Sequence, residues 1–141
     1  MGSVGGIPYL LALMATVLGR TGQFDEAFGA LNEAVKLLER TGDRSGEAEV
    51  QRLKGELLLR QNVSNSAQAE RCFLTAIEIS RKQHGKSWEL RATTSLARLL
   101  AKQGRGDEAR TLLADVYDWF TEGFDTADLK DAKALLDELK S

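Results

Sequence analysis

Few side chains in the 141-residue sequence are of types that perform covalent or metal chemistry, and their spacing does not favour it. The lone thiol, Cys72, and the lone imidazole, His84, stand twelve residues apart. A zinc site would lack its remaining ligands, and a Cys-His nucleophile would lack the third group that orients the base. Cys72 beside Phe73 reads instead as a small buried hydrophobe, and His84 before Gly85 as a helix-end residue. The acidic pairs Asp25-Glu26 and Asp107-Glu108 have the make-up of acid–base carboxylates. They recur at matched positions, however, each shortly after a glycine, which points to capping and dipole compensation at helix N-termini. A Gly-x-x-x-x-Gly-Lys-Ser/Thr loop that could cradle phosphates is absent from the sequence. The expectation is a chain with no catalytic residue, no metal and no cofactor. Asn62-Val63-Ser64 fits a glycosylation sequon and reads as a polar turn.

Composition sets the class of scaffold behind these residues. The chain is 43% hydrophobic and 28% charged, with 13 Gly and 1 Pro, the profile of one ordinary globular domain. One cysteine cannot form an internal bridge, so nothing argues for an oxidising compartment. The net charge of −2 argues against general binding to polyanions, and nucleic acid is not an expected partner. Charge is unevenly spread: residues 1–106 hold 15 basic and 11 acidic side chains, residues 107–141 hold 4 and 10. The apolar run from Ile7 to Leu18 is shorter than the roughly 20 residues a bilayer requires. Met1 to Gly6 carry no basic n-region of a signal peptide. A cytoplasmic location is therefore expected. Residues 1–6 read as a cloning scar or linker, and the chain as a piece of something longer.

The elements that must position these side chains are written as a repeat. Gly22-Gln23-Phe24-Asp25-Glu26-Ala27 returns as Gly104-Arg105-Gly106-Asp107-Glu108-Ala109, with a weaker copy at Ser66-Ala67-Gln68-Ala69-Glu70. Small residues keep one period of 40–42: Ala15, Gly55 and Ala97, then Ala27, Ala69 and Ala109. Antiparallel helices approach closely only where side chains are small, so each pair marks a helix hairpin. Gly22 and Gly104 fit the left-handed residue that ends a helix. Apolar spacing predicts helices over 7–21, 24–40, 46–61, 66–84, 87–103, 107–121 and 126–139, the first opened by Pro8. No segment alternates with period two.

This pattern resembles the tetratricopeptide repeat family, whose small residues at the eighth, twentieth and twenty-seventh positions fall on Ala15, Ala27 and Ala34, on Gly55, Ala69 and Ala76, and on Ala97, Ala109 and Val116. The period exceeds the family's 34, and the hairpin-closing proline is missing; longer helices and turns such as Thr41-Gly42-Asp43-Arg44 accommodate the excess. The resemblance implies an all-α, right-handed superhelix of three hairpins, 7–40, 46–84 and 87–121, closed by a capping helix within 122–141. The phrases Arg52–Leu59, Lys86–Ala92 and Trp119–Leu129 are similar to the C-terminal repeat region of large bacterial regulators. Those proteins join a class III adenylate or guanylate cyclase, or a winged helix, to a signal-transduction ATPase.

In that family the first helix of each hairpin lines a concave face. Carried over, the rule places Tyr9, Leu13, Thr16 and Arg20, then Glu49, Arg52, Glu56 and Arg60, then Arg91, Ser95, Arg98 and Lys102 toward a groove. Arg52, Arg60, Arg91, Ser95, Arg98 and Lys102 are the candidate binding residues, suited to the carboxylates of a protein or peptide. The competing reading is a solvated face of paired Arg and Glu. Tyr117, Trp119, Phe120 and Phe124 are expected to seat the last helix as a lid, as solenoid ends require, or else to anchor a partner. If residues before Ile7 belong to further repeats in the parent, the hairpin 7–40 has lost its neighbour, and Tyr9, Leu10, Leu13, Met14 and Val17 form an apolar strip that would promote a homodimer of the fragment. The implied function is a non-catalytic interaction module of a signalling protein, or alternatively its autoinhibitory or self-association arm.

Overall fold

Glycines stop the helices where the sequence places the stops. Gly22 and Gly104 adopt φ of 81° and 78°, and Gly42 ends a helix at 72°. His84 takes the same left-handed geometry with a side chain attached (φ 55°), after which the Gly85 N–H donates to the Ser80 carbonyl at 2.8 Å. In the computed structural model, which describes residues 6–42 and 46–140, these stops separate seven α-helices. They are α1 (Gly6–Arg20), α2 (Phe24–Thr41), α3 (Glu47–Gln61), α4 (Ser66–Lys82), α5 (Lys86–Lys102), α6 (Gly106–Tyr117) and α7 (Ala127–Leu139). A 3₁₀ turn, Val63–Asn65, leads into α4. There is no strand among the described residues. Residues 1–5 of the expected linker, and Asp43 and Arg44 of the expected inter-repeat turn, lie outside the described residues, whereas Gly6 already belongs to α1.

The fold is an all-α, tetratricopeptide-like stack. Helices α1 and α2, α3 and α4, and α5 and α6 form antiparallel neighbours, and each first helix also touches the next, α1 on α3, α3 on α5 and α5 on α7. Among the described residues no contact joins α1 or α2 to α5, α6 or α7, so the stack is open and does not close on itself. The repeating small residues sit at the points of closest approach: Ala15, Ala27, Ala34, Ala69, Ala76, Ala97 and Ala109 are at most 1% exposed. At Gly55 a Cβ would fall 2.6 Å from the Phe73 ring, so α3 and α4 can meet only over glycine. At Gly19, between α1 and α3, a Cβ would lie 2.5 Å from the end of the Leu57 side chain, which would have to shift to admit it.

Two apolar cores result, and they meet at α3. Val50 and Leu57 of α3 join Ala12, Leu31 and Leu38 in one core; Leu58 joins Phe73, Leu90, Leu96, Leu100 and Leu113 in the other. Phe28 of α2 packs against both. Helix α7 covers the far end of the second core with Leu129, Ala132, Leu135 and Leu136.

Three local expectations are corrected. Helix α6 ends at Tyr117 instead of 121: the chain tightens into turns in which Trp119 N–H donates to the Val116 carbonyl and Phe120 N–H to that of Tyr117, and it folds back so that Tyr117 meets Phe124 at 5.8 Å. Gly123 (φ 78°) lies in the resulting linker between α6 and α7. The acidic pairs do not cap: Gln23 and Arg105 occupy the N-cap positions without a side-chain cap bond, and the carboxylates act from the first turn. Cys72 is half-buried at the margin of the second core and not inside it, with burial pushing its thiol pKa up.

Candidate functional site

Helices α1, α3, α5 and α7 lie side by side, and their shared face carries clefts lined by the side chains the sequence singled out. Between α1 and α3 a cleft of ≈ 220 Å³ is bounded by Thr16, Arg20, Arg52, Glu56 and Arg60. A second, of ≈ 250 Å³, lies among α3, α5 and α7, where Arg52, Arg91, Ser95, Arg98, Asp128 and Asp131 converge. Arg98 and Lys102 also line a third cleft of ≈ 220 Å³, with Leu135 and Glu138 of α7. The Tyr9 side chain, expected on the same face, lies outside the described residues.

Chemically, the six candidate residues divide into two groups. Arg52, Arg91 and Ser95 belong to an internal network. Glu49, 5% exposed, accepts a fork from Arg52 (Nε to Oε1 and Nη2 to Oε2, both 2.8 Å) and a third bond from Arg91 Nη1 at 3.0 Å. Arg52 Nη1 reaches across to the buried Ser95 Oγ at 3.3 Å. Arg91 Nε in turn bonds both carboxylate oxygens of Asp128, at 3.0 and 3.1 Å, and its guanidinium stacks on Trp88 at 5.1 Å. Burial works against the charged form of both arginines but is outweighed, by Glu49 at Arg52 and by Asp128 with Glu49 at Arg91, so both pKa values are raised. Charges so committed are already neutralised and staple three helices together.

The second group, Arg60, Arg98 and Lys102, is exposed, and Arg20 joins it. Among the described residues none of these four cations has a carboxylate within ion-pair distance. Arg20, Arg60 and Lys102 occupy equivalent positions one repeat apart, in the last turn of α1, α3 and α5. A cation there also complements the helix C-terminus. The reading of a solvated face with Arg and Glu paired four apart fits only partly, because Arg52 turns back three residues to Glu49 and no ion pair joins Arg60 to Glu56.

Sequence reasoning missed the partners from the lid. The signal for Asp128 is its place in the first turn of a helix that must pack on α5, within reach of an α5 arginine. The aromatic cluster splits: Tyr117 and Phe120 pack against the core, while Trp119 and Phe124 remain 59% and 45% exposed. Trp119 meets Phe120 edge-on at 5.2 Å and stands under Lys86 Nζ at 5.7 Å, at the mouth of a cleft of ≈ 420 Å³ with walls from Leu90, Phe120 and Leu129. The lid's sealing surface is the α7 leucine face.

No group of three His, Cys, Asp or Glu side chains converges on a metal-sized site among the described residues, and no described helix is long and apolar enough to cross a membrane. Residues 90–115, which span α5 from its second turn and nearly all of α6, match the tetratricopeptide repeat family. Neither a curated protein nor a solved structure gives a match to the chain. Repeats of this kind are generally non-catalytic, and the match points to a protein–protein interaction module.

Proposed function

We propose that the shared face of α1, α3 and α5 binds an extended acidic segment of a protein partner through Arg20, Arg60, Arg98 and Lys102. The reading rests on the contrast within the groove: Arg52 and Arg91 are satisfied by Glu49 and Asp128, whereas these four cations are exposed and unpaired. The guanidinium forks of Arg20, Arg60 and Arg98 match carboxylates in geometry as well as charge, and the row of cations Arg20, Arg60 and Lys102, one repeat apart, suits a peptide in extended form. The likeness of Arg52–Leu59, Lys86–Ala92 and Trp119–Leu129 to bacterial regulators supports placing the module in a signalling protein with a cyclase or ATPase domain. In a second reading, favoured by the same unpaired cations, the acidic segment belongs to that parent and the array is its autoinhibitory arm.

Fluorescence anisotropy with a labelled decapeptide rich in Glu tests the binding claim. Wild type binds, more weakly as salt rises, and Arg60→Glu/Arg98→Glu loses at least about tenfold in affinity while keeping its helical spectrum. Equal affinity of variant and wild type, or equal binding of a Lys-rich peptide, refutes the proposal.

A further inference from the structure

Helix α7 lays a row of carboxylates along the flank of α5. Asp128, Asp131 and Glu138 follow one face of α7, at i, i+3 and i+10 with Leu135 between them, and Arg91, Arg98 and Lys102 follow one face of α5, at i, i+7 and i+11. The two rows run side by side. Asp128 accepts from Arg91, Asp131 lines the cleft that holds Arg91 and Arg98, and Glu138 lines the cleft that holds Arg98 and Lys102. Among the described residues the Asp128 contact alone closes to ion-pair distance, at 3.0 Å. Between α1 and α3 the balance differs. The cleft there has Arg20, Arg52 and Arg60 on its walls with the one carboxylate of Glu56, and Arg52 is already committed to Glu49.

We infer that the acidic row of α7 sets the register of the groove's ligand: it opposes carboxylates arriving at Arg98 and Lys102, so that an acidic segment is held more tightly by Arg20 and Arg60. The inference rests on the acidic-segment reading proposed above and deepens it. A ligand carboxylate on Arg98 shares its cleft with Asp131, and one on Lys102 shares its cleft with Glu138. Like charges in such exposed positions oppose each other by about as much as an exposed ion pair attracts, roughly two- to fivefold in affinity for each carboxylate. The row cannot swing aside. Leu129, Ala132, Leu135 and Leu136 fix α7 in the core, so its carboxylates are a standing part of the groove wall. A role limited to fastening α7 would need closed ion pairs, and among the described residues Asp131 and Glu138 form none. Removing their charge therefore alters the ligand's register without loosening the helix.

A cycle of variants of the full chain, read at low salt by anisotropy of the labelled Glu-rich decapeptide, tests the inference. In the wild-type background Arg60→Ala costs about fivefold in affinity and Arg98→Ala less than about twofold. In an Asp131→Asn/Glu138→Gln background the peptide binds at least about threefold more tightly, and Arg98→Ala now costs about fivefold, as Arg60→Ala still does. Asp137→Asn/Glu78→Gln is the control. It makes the same change in net charge by removing two exposed carboxylates paired with Lys133 and Lys82, and leaves affinity within about twofold. All four positions are exposed, so both double variants keep the thermal midpoint within about 3 °C. Equal tightening by the two double variants overturns the inference, as does a cost of Arg98→Ala that is the same with and without the α7 carboxylates; either result leaves the groove reading standing. Failure of both wild type and Asp131→Asn/Glu138→Gln to bind the peptide overturns the groove reading and this inference with it.

Discussion

The two ends of the stack solve the same problem differently. At the α5–α6 end, α7 lays Leu129, Ala132, Leu135 and Leu136 over the core and turns its charged side outward, and Asp128 fastens it to Arg91. At the α1–α2 end, four large apolar side chains stay exposed. Stacked hairpins leave an unsatisfied apolar face at each terminus unless a differently patterned element covers it. Among the described residues one face is covered and the other is not.

The comparison breaks most readily at the leucines. Leu129→Ala, at a 4% exposed position, costs about 2–5 kcal/mol in urea melts, whereas Leu10→Ala, at 59% exposure, stays within about 0.5 kcal/mol at protein concentrations too low for self-association. Similar costs at the two sites would mean that the ends do not differ as described. A smaller effect follows Asp128→Asn, which weakens the latch while leaving the leucines in place. The ion pair is about a third exposed, so the loss is about 0.5–1 kcal/mol. Hydrogen exchange should accelerate in α7 and leave α1 unchanged; acceleration at both ends would show that the latch does not act locally. The smallest effect is read from Cys72, at the margin of the lidded core. Burial disfavours its thiolate, so the folded state holds the thiol proton more tightly than the unfolded chain. Its contribution to stability is present at low pH and is lost as pH rises through the elevated folded value. The midpoint of iodoacetamide alkylation against pH therefore lies above that measured in denaturant; a midpoint at or below it contradicts the assignment.

The sequence made the close approaches legible because they leave small residues at fixed intervals, and Ala27, Ala69 and Ala109 are all fully buried. The apolar strip of α1 was equally legible as a face distinct from the one that meets α2, since Leu10, Leu13, Met14 and Val17 follow i, i+3, i+4 and i+7 opposite Ala12, Ala15 and Gly19. The end of α6 was not, because the local pattern of Tyr117 to Phe120 continues the helix and only the return of Phe124 onto Tyr117 favours leaving it. The split of the groove cations escaped for a similar reason. Which arginine is satisfied depends on Asp128, 37 residues from Arg91 in the chain, and on how deeply packing buries Glu49. Spacing within one helix carries no information about either.

Adjacent residues of α3, Leu57 and Leu58, point into different cores, and Phe28 bridges the two. That helix is thus a party wall. Heat or mechanical tension applied to the array peels the α1–α2 side first, where a smaller apolar cluster holds it, and the melting front halts at α3, whose opposite side is still clamped by Phe73 over Gly55.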